Sequence, residues 1–480
     1  MRKRSPEASR FQRILPLVLL GVLGLSQAAP ASAQGTNLTE RVDQLFRAFD
    51  SATSPGCAIG VVQDGALVYE RGYGSENLDY NRPLTSASAF YTASVSKQFS
   101  AAVMALLADQ GHISLDDDVR RYVPELPDYG PTITIRHMIH HTSGLRDYLG
   151  LMNLTGMRVE DVHSDKAVLD LIVRQRELNF KPGEEYLYSN SGYFLMSIIV
   201  ERVTGLTFRE YADQYIFRPL GMNNTHFHDD RTMIVPNRAM AYSPADDGGF
   251  RVNYWANFDK VGSGGMVSTV HDLYLWDQNF FEDRLGSPQF MIDMHTRAIL
   301  NSGDTIQYAS GLNISEYRGL RTVSHGGSSM GFRAHFLRFP DERFAAILLC
   351  NVSTAVPSVL AQQVADIYLE DRFAAGTEPA SSPTPSAQEL VEVDMGIAEL
   401  AAFAGSYHSP ELLVEYMLEM EDGVLTLRRP GADRAVVRPT GEGLFVSGAY
   451  ELRFVQDVNG RPAGFDLGAG RVRSIHFQRR

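Results

Sequence analysis

Apolar residues at helical spacing mark the first part of the chain. Phe99, Val103, Leu106 and Leu107 share one face of a helix that opens near Ser94, and Gly111 supplies a stop. Val42, Leu45, Phe46 and Phe49 form another such stripe and predict a helix over 39–51. Between them, 58–62 and 66–69 are apolar runs flanking Asp64-Gly65, a pair that favours a tight hairpin because both residues tolerate positive φ. From Ser94 to about Val261 the pattern is mostly helical and is broken by Gly and Pro. Strand character returns at 323–325, 334–339 and 344–350, with Pro340-Asp341-Glu342-Arg343 as a turn, and 355–371 reads as a closing helix. A strand pair, a helical insert, a strand meander and a last helix predict an α+β fold: an antiparallel sheet, a helical lobe and a cleft between them.

Beyond this region the texture changes. Residues 374–388 are small and Pro-rich, the composition of a linker. After about Ala398, short alternating runs at 416–421, 424–429, 444–446, 452–455 and 472–477, with turns at Glu421-Asp422-Gly423 and Val458-Asn459-Gly460, predict a small all-β, barrel-like module. At the other end, Arg2, Lys3, Arg4, Arg10 and Arg13 precede a short apolar core from Ile14 to Leu25 and an Ala31-Ser32-Ala33 cleavage pattern. Together these read as a cleavable export signal, and the apolar run is too short to span a bilayer comfortably. The expected division is a signal peptide at 1–33, the α+β domain at 34–373, a linker at 374–394 and a small all-β domain at 395–480. The mature protein is then expected to be periplasmic or secreted, without a stable membrane span.

Charge narrows the partners. Acidic residues outnumber basic ones by 57 to 44, and loss of the basic signal leaves the remainder more acidic still. Such a surface disfavours nucleic acid and anionic membranes, so neither is an expected partner. The two cysteines, Cys57 and Cys350, lie in strand-like runs with no neighbours that suggest catalysis or metal binding. An oxidising compartment permits a bond between them. The expectation here is two buried free thiols, which pack as small hydrophobes.

Candidate chemistry begins with the lysines. Only five of the 44 basic residues are lysine, and one of the five, Lys97, stands three residues after Ser94. That spacing puts both side chains on one face of the first helical turn. Serine is a poor nucleophile until a base takes its proton, and a Ser-Lys pair is one solution. Arginine cannot serve, because it never gives up its proton, whereas a desolvated lysine can. An isolated Ser-x-x-Lys arises readily by chance, so its partners must decide. Tyr188-Ser189-Asn190 lies in a polar loop after Lys181-Pro182-Gly183 and before a helical run. A phenol beside a cation can hold its proton loosely enough to relay it. His325-Gly326-Gly327 lies on a strand, and of the 13 histidines His325 alone has Gly two places on. Two glycines let a backbone approach a bound acyl group and offer an N–H to an oxyanion. Thr225-His226-Phe227-His228-Asp229-Asp230 reads as a loop, and neither a metal nor a cofactor is expected.

These motifs, in this order on helix start, loop and strand, give the chain its resemblance to the serine β-lactamase and penicillin-binding-protein fold. It is similar in particular to the class C β-lactamase-like serine hydrolase branch. The likeness continues through Ile133-Thr134-Ile135-Arg136-His137-Met138-Ile139-His140-His141-Thr142-Ser143-Gly144-Leu145, Pro219-Leu220-Gly221-Met222 and Gly264-Gly265-Met266-Val267-Ser268-Thr269, and covers roughly 37–372. The resemblance implies that Ser94 is acylated, that Lys97 takes or relays its proton, and that Tyr188 protonates the leaving group. It also implies that Asn190 holds the substrate amide and that the N–H groups of Ser94 and Ser328 form an oxyanion hole. His325 and Gly327 fall where the family's third motif, commonly Lys-Thr-Gly, stands. A lysine there presents a permanent cation to a carboxylate, and a near-neutral histidine does not. An H-x-G third motif resembles that of D-aminopeptidases, alkaline D-peptidases and some esterases. The expectation is an exported serine hydrolase of peptide amides, D-residues among them, or of small esters. The alternatives are a β-lactamase or DD-peptidase, or a non-catalytic relative that binds cell-wall peptides.

Overall fold

A computed structural model of the protein describes residues 31–254, 257–378, 392–441 and 443–480. Nearly all of the expected export signal and the middle of the expected linker lie outside these residues. Among the described residues no helix is long and apolar enough to cross a membrane.

The sheet is built from the two ends of the catalytic region. Strands β1 (Cys57–Gln63) and β2 (Ala66–Tyr73) form the hairpin expected at Asp64-Gly65, whose φ values are 51° and 82°. The meander contributes β3 (Asn313–Tyr317), β4 (Leu320–Ser329), β5 (Phe332–Phe339) and β6 (Phe344–Cys350). Their order is β3-β4-β5-β6-β1-β2, antiparallel throughout. Strand β6 explains why its sequence is apolar without alternation. Phe344, Ala346, Leu348 and Cys350 face a core shared with helices α1 (Ala31–Phe46) and α5 (Pro357–Tyr368), whereas Ala345, Ile347 and Leu349 face the helical lobe. A strand covered on both faces needs apolar residues at every position.

The cysteines correct the expectation of free thiols. Cys57 and Cys350 are directly opposed on β1 and β6 and form a disulfide across 293 residues of sequence. Adjacent residues on paired strands bring the sulfurs within bonding reach, a proximity invisible until the pairing register is known.

The lobe is organised on α2 (Lys97–Asp109), whose residues from Lys97 to Leu107 are all buried. Gly111 follows with φ 76°, the left-handed stop expected of it. Helix α4 (Asn190–Thr204) packs beside it, and α3 (Tyr148–Thr155) packs against α4. The tail is a closed eight-stranded barrel. Five strands match the alternating runs, while Gly405–Ser409, Ala435–Gly441 and Pro462–Ala469 were not legible. The barrel is no loose appendage. Its interior, including Tyr416 and Phe477, is continuous with the core of the lobe.

Candidate active site

Ser94 does not open an α-helix. It sits in a 3-10 turn, Ala93–Ser96, that leads into α2, and Ala93 before it carries φ 49°. Three residues per turn eclipse positions i and i+3, so the tighter winding sets Lys97 directly over Ser94. Lys97 Nζ lies 3.2 Å from Ser94 Oγ. It also contacts Asn190 Oδ1 at 2.8 Å and the carbonyl of Ser263.

Burial drives the Lys97 pKa well below that of an ordinary lysine. The nearby Arg471 cation pushes the same way and Asp147 opposes them. The hydrogen-bond geometry agrees with an uncharged amine. A neutral –NH2 has two N–H bonds and one lone pair, and two carbonyl-type oxygens accept the N–H bonds. Ser94 Oγ is the third oxygen around the nitrogen, so an amine that has given up a proton would turn its lone pair to that hydroxyl.

Tyr188 is half-buried with its hydroxyl in the interior beside Ser94. Its ring lies 4.8 Å from Lys97 Nζ and packs against the His141 ring, tilted by 35° with centroids 4.1 Å apart. His141 adopts φ 59° and accepts a hydrogen bond from the Ser189 N–H at 3.1 Å, which fixes the loop that carries the phenol. Here the sequence reading of the phenol needs correcting. Burial raises the Tyr188 pKa, outweighing the lowering by Ser94 and by the cation of Arg471. The phenol therefore holds its proton firmly at neutral pH.

Asn190 begins α4, and its side chain is committed on both sides. Its Oδ1 accepts from Lys97, while its Nδ2 and its backbone N–H each donate to Asp147 Oδ2 at 2.7 Å. Asp147 is buried and caps α3, accepting from the Gly150 N–H at 3.1 Å. Sequence reasoning missed this residue. The signal available was an acid directly before an apolar helical run, an N-cap pattern.

His325 is buried on β4 with both ring nitrogens engaged. Nδ1 donates to the Gly326 carbonyl at 2.7 Å, so Nε2 accepts from the Tyr308 hydroxyl at 2.9 Å. Burial and the neighbouring Lys97 push its pKa down to about 3, so it is neutral across the physiological range. At Gly327, β4 crosses the loop before Ser94. A Cβ there would stand 2.2 Å from the Thr92 carbonyl oxygen, so only glycine fits.

Ser94, Tyr188, Asn190, His325, Gly327 and Ser328 line one open cavity of about 740 Å³, and Lys97 lies behind Ser94. The structure thus brings together all seven residues singled out in the sequence. Arg471, from the barrel, lines the same cavity and was not anticipated. Among the described residues no group of three or more His, Cys, Asp or Glu side chains is placed to hold a metal ion.

Fold and site together define a serine hydrolase of the β-lactamase family, and the chain belongs to that family: the profile described as Beta-lactamase matches residues 42–368. Among curated proteins, the chain is 29% identical over 331 residues to a penicillin-binding protein of Bacillus subtilis (strain 168), covering 66% of this chain and 72% of that one. It is 27% identical over 409 residues to a D-aminopeptidase of Gluconobacter oxydans (strain 621H), covering 80% and 75%. Among solved structures it is similar to the octameric penicillin-binding protein homologue from Pyrococcus abyssi, with TM-score 0.61 and 21% identity, covering 94% of this chain and 99% of that one. That last likeness is one of fold, and it spans both domains.

Proposed function

We propose that this chain is an exported hydrolase that cleaves peptide amides, D-residues among them, or small esters through an acyl-enzyme on Ser94. The observation that carries the reading is the fully buried Lys97 amine, whose pKa burial lowers well below that of an ordinary lysine and whose nitrogen lies 3.2 Å from Ser94 Oγ. Lys97 takes the hydroxyl proton as Ser94 Oγ attacks the carbonyl carbon. The N–H groups of Ser94 and Ser328 receive the developing oxyanion. Collapse breaks the bond to the leaving group, to which Tyr188 gives its proton. The proton on Lys97 passes back to Tyr188, and water then releases the acid by the same steps in reverse roles. Asn190 and Asp147 orient the amine. His325 shapes the wall of the site rather than holding substrate, since neither ring nitrogen is left for a ligand.

The D-aminopeptidase relative supports the amide reading, and the basic N-terminal segment with its apolar core and Ala-x-Ala site supports export. A fluorophosphonate probe tests the chemistry. It is expected to label the parent at Ser94 and to leave Ser94→Ala unlabelled. Lys97→Ala and Lys97→Arg should both lose labelling by roughly a hundred-fold or more, the worth of a general base. Tyr188→Phe should lose turnover of peptide amides by a similar factor. An active Lys97→Arg would reduce Lys97 to a mere charge and end the reading. A panel of p-nitrophenyl esters, D- and L-amino-acid p-nitroanilides and a chromogenic cephalosporin separates hydrolase from β-lactamase.

A further inference from the structure

The cavity is electrostatically one-sided. In a chain with 57 acidic residues, none of the described residues lining it is Asp or Glu, yet two are arginine, Arg333 and Arg471. Neither arginine makes an ion pair among the described residues. Arg333 donates to the carbonyl of Phe332 at 2.8 Å, whereas the Arg471 guanidinium lies over the Tyr188 ring at 4.6 Å. A guanidinium left unpaired in a cleft is a ready receptor for a carboxylate, which it can bind through two parallel hydrogen bonds. A free amino group, by contrast, would find no counter-charge here.

Arg471 is also held in place. It sits at the turn between the last two barrel strands, Pro462–Ala469 and Val472–Arg479. Its carbonyl accepts from Asn179 Nδ2 at 2.9 Å, and the Arg473 N–H donates to Asn179 Oδ1 at 2.8 Å. Arg473 also pairs with Glu185 at 3.0 Å, three residues before Tyr188. Val472 is buried against Gly150 of α3, where an added Cβ would come within 2.8 Å of it. The backbone is therefore pinned to the lobe at the arginine and over the two residues after it, which leaves less of it to be ordered when a ligand binds.

We infer that the barrel supplies the substrate-recognition cation of this site: Arg471 binds a carboxylate on the leaving group, standing in for the cation that His325 cannot provide. The side is set by Tyr188. If Tyr188 protonates the leaving group, a carboxylate held by the guanidinium over its ring belongs to that group and not to the acyl portion. The inference rests on the acyl-enzyme reading for its orientation. The substrate class is then an acyl compound whose departing amine or alcohol carries a free carboxylate, such as a peptide releasing its C-terminal residue.

The test compares matched ligands, N-acetyl-D-Xaa-D-Ala (Xaa Ala, Leu or Phe) and their C-terminal amides. Binding is measured calorimetrically to Ser94→Ala and turnover is measured with the parent. The acids are expected to bind and react at least ten-fold better than the amides, the scale of a charge-assisted hydrogen bond. Arg471→Ala should erase that ratio, Arg471→Lys should retain part of it, and Arg471→Glu should reverse it. Arg333→Ala should change it much less. No preference in the parent protein, no binding of either ligand, a ratio unmoved by Arg471→Ala, or a preference carried by Arg333 would each overturn the inference. Binding that follows these expectations without turnover or fluorophosphonate labelling would instead condemn the hydrolase reading and leave the carboxylate site standing.

Discussion

At the scale of single residues, the site works by withholding charge. Burial opposes the charged forms of Lys97, His325 and Tyr188, since it disfavours the ion of a base and of an acid alike. In the proposed mechanism this sets a base able to take a proton beside an acid that still has one. Asp147 is the counterweight, since its charge favours the ammonium form of Lys97. Asp147→Asn is expected to slow labelling of Ser94 by roughly ten- to a hundred-fold, because it loosens Asn190 and with it the amine. The sign of the pH effect separates positioning from mere damage. Removing the anion lowers the Lys97 pKa further, so the acidic limb of the pH–rate profile should move to lower pH. Movement to higher pH would contradict the role given to Asp147.

Among elements, the short stretches around the site matter more than the long ones. Ser94 and Lys97 were legible because their relation is local, and the 3-10 turn only tightened what helical spacing had suggested. Tyr188 and His325 were legible as types on a loop and a strand. The two commitments of Asn190 were not, because they depend on Asp147 from another helix start. Strand β4 packs along the turn that carries Ser94, and the approach is tight where Gly327 meets Thr92. Gly327→Ala should force strand and loop apart, costing about 1–3 kcal/mol of stability and most of the acylation rate. Unfolding and labelling measured together check both, and an active, fully stable variant would mean the contact is dispensable. The barrel strand Pro462–Ala469 hid for a similar reason. Its Gly464 lies 2.3 Å, by an added Cβ, from the Phe477 carbonyl oxygen, so the sequence there shows closeness rather than alternation.

For the molecule as a whole, the question is how two domains make one site. Arg146 is buried between them. It pairs with Glu411 at 2.7 Å and donates to the carbonyls of Arg473 and Ser474, each at 3.0 Å. The next residue is Asp147, so the docking contact and the amine's counterweight are neighbours in sequence. Glu411→Ala leaves Arg146 buried without its partner, a loss of about 3–5 kcal/mol for such pairs. It should lower the unfolding temperature and reduce turnover together, and domains that melt in two separate steps would mark the lost coupling. An unchanged melting profile would count against a docked barrel. None of this long-range assembly was readable beforehand, nor was the Cys57–Cys350 bond that ties β1 to β6. Composition announces two domains and is silent on their interface.

The most direct test of the central claim is the rate of fluorophosphonate labelling at Ser94 as a function of pH. With Lys97 neutral in the resting protein, the rate should rise on a limb well below the usual 10.5 of a lysine and then stay level through neutral and mildly alkaline pH. A rate that keeps climbing until that ordinary lysine value would mean Lys97 is charged at rest, and the base assigned here would not exist.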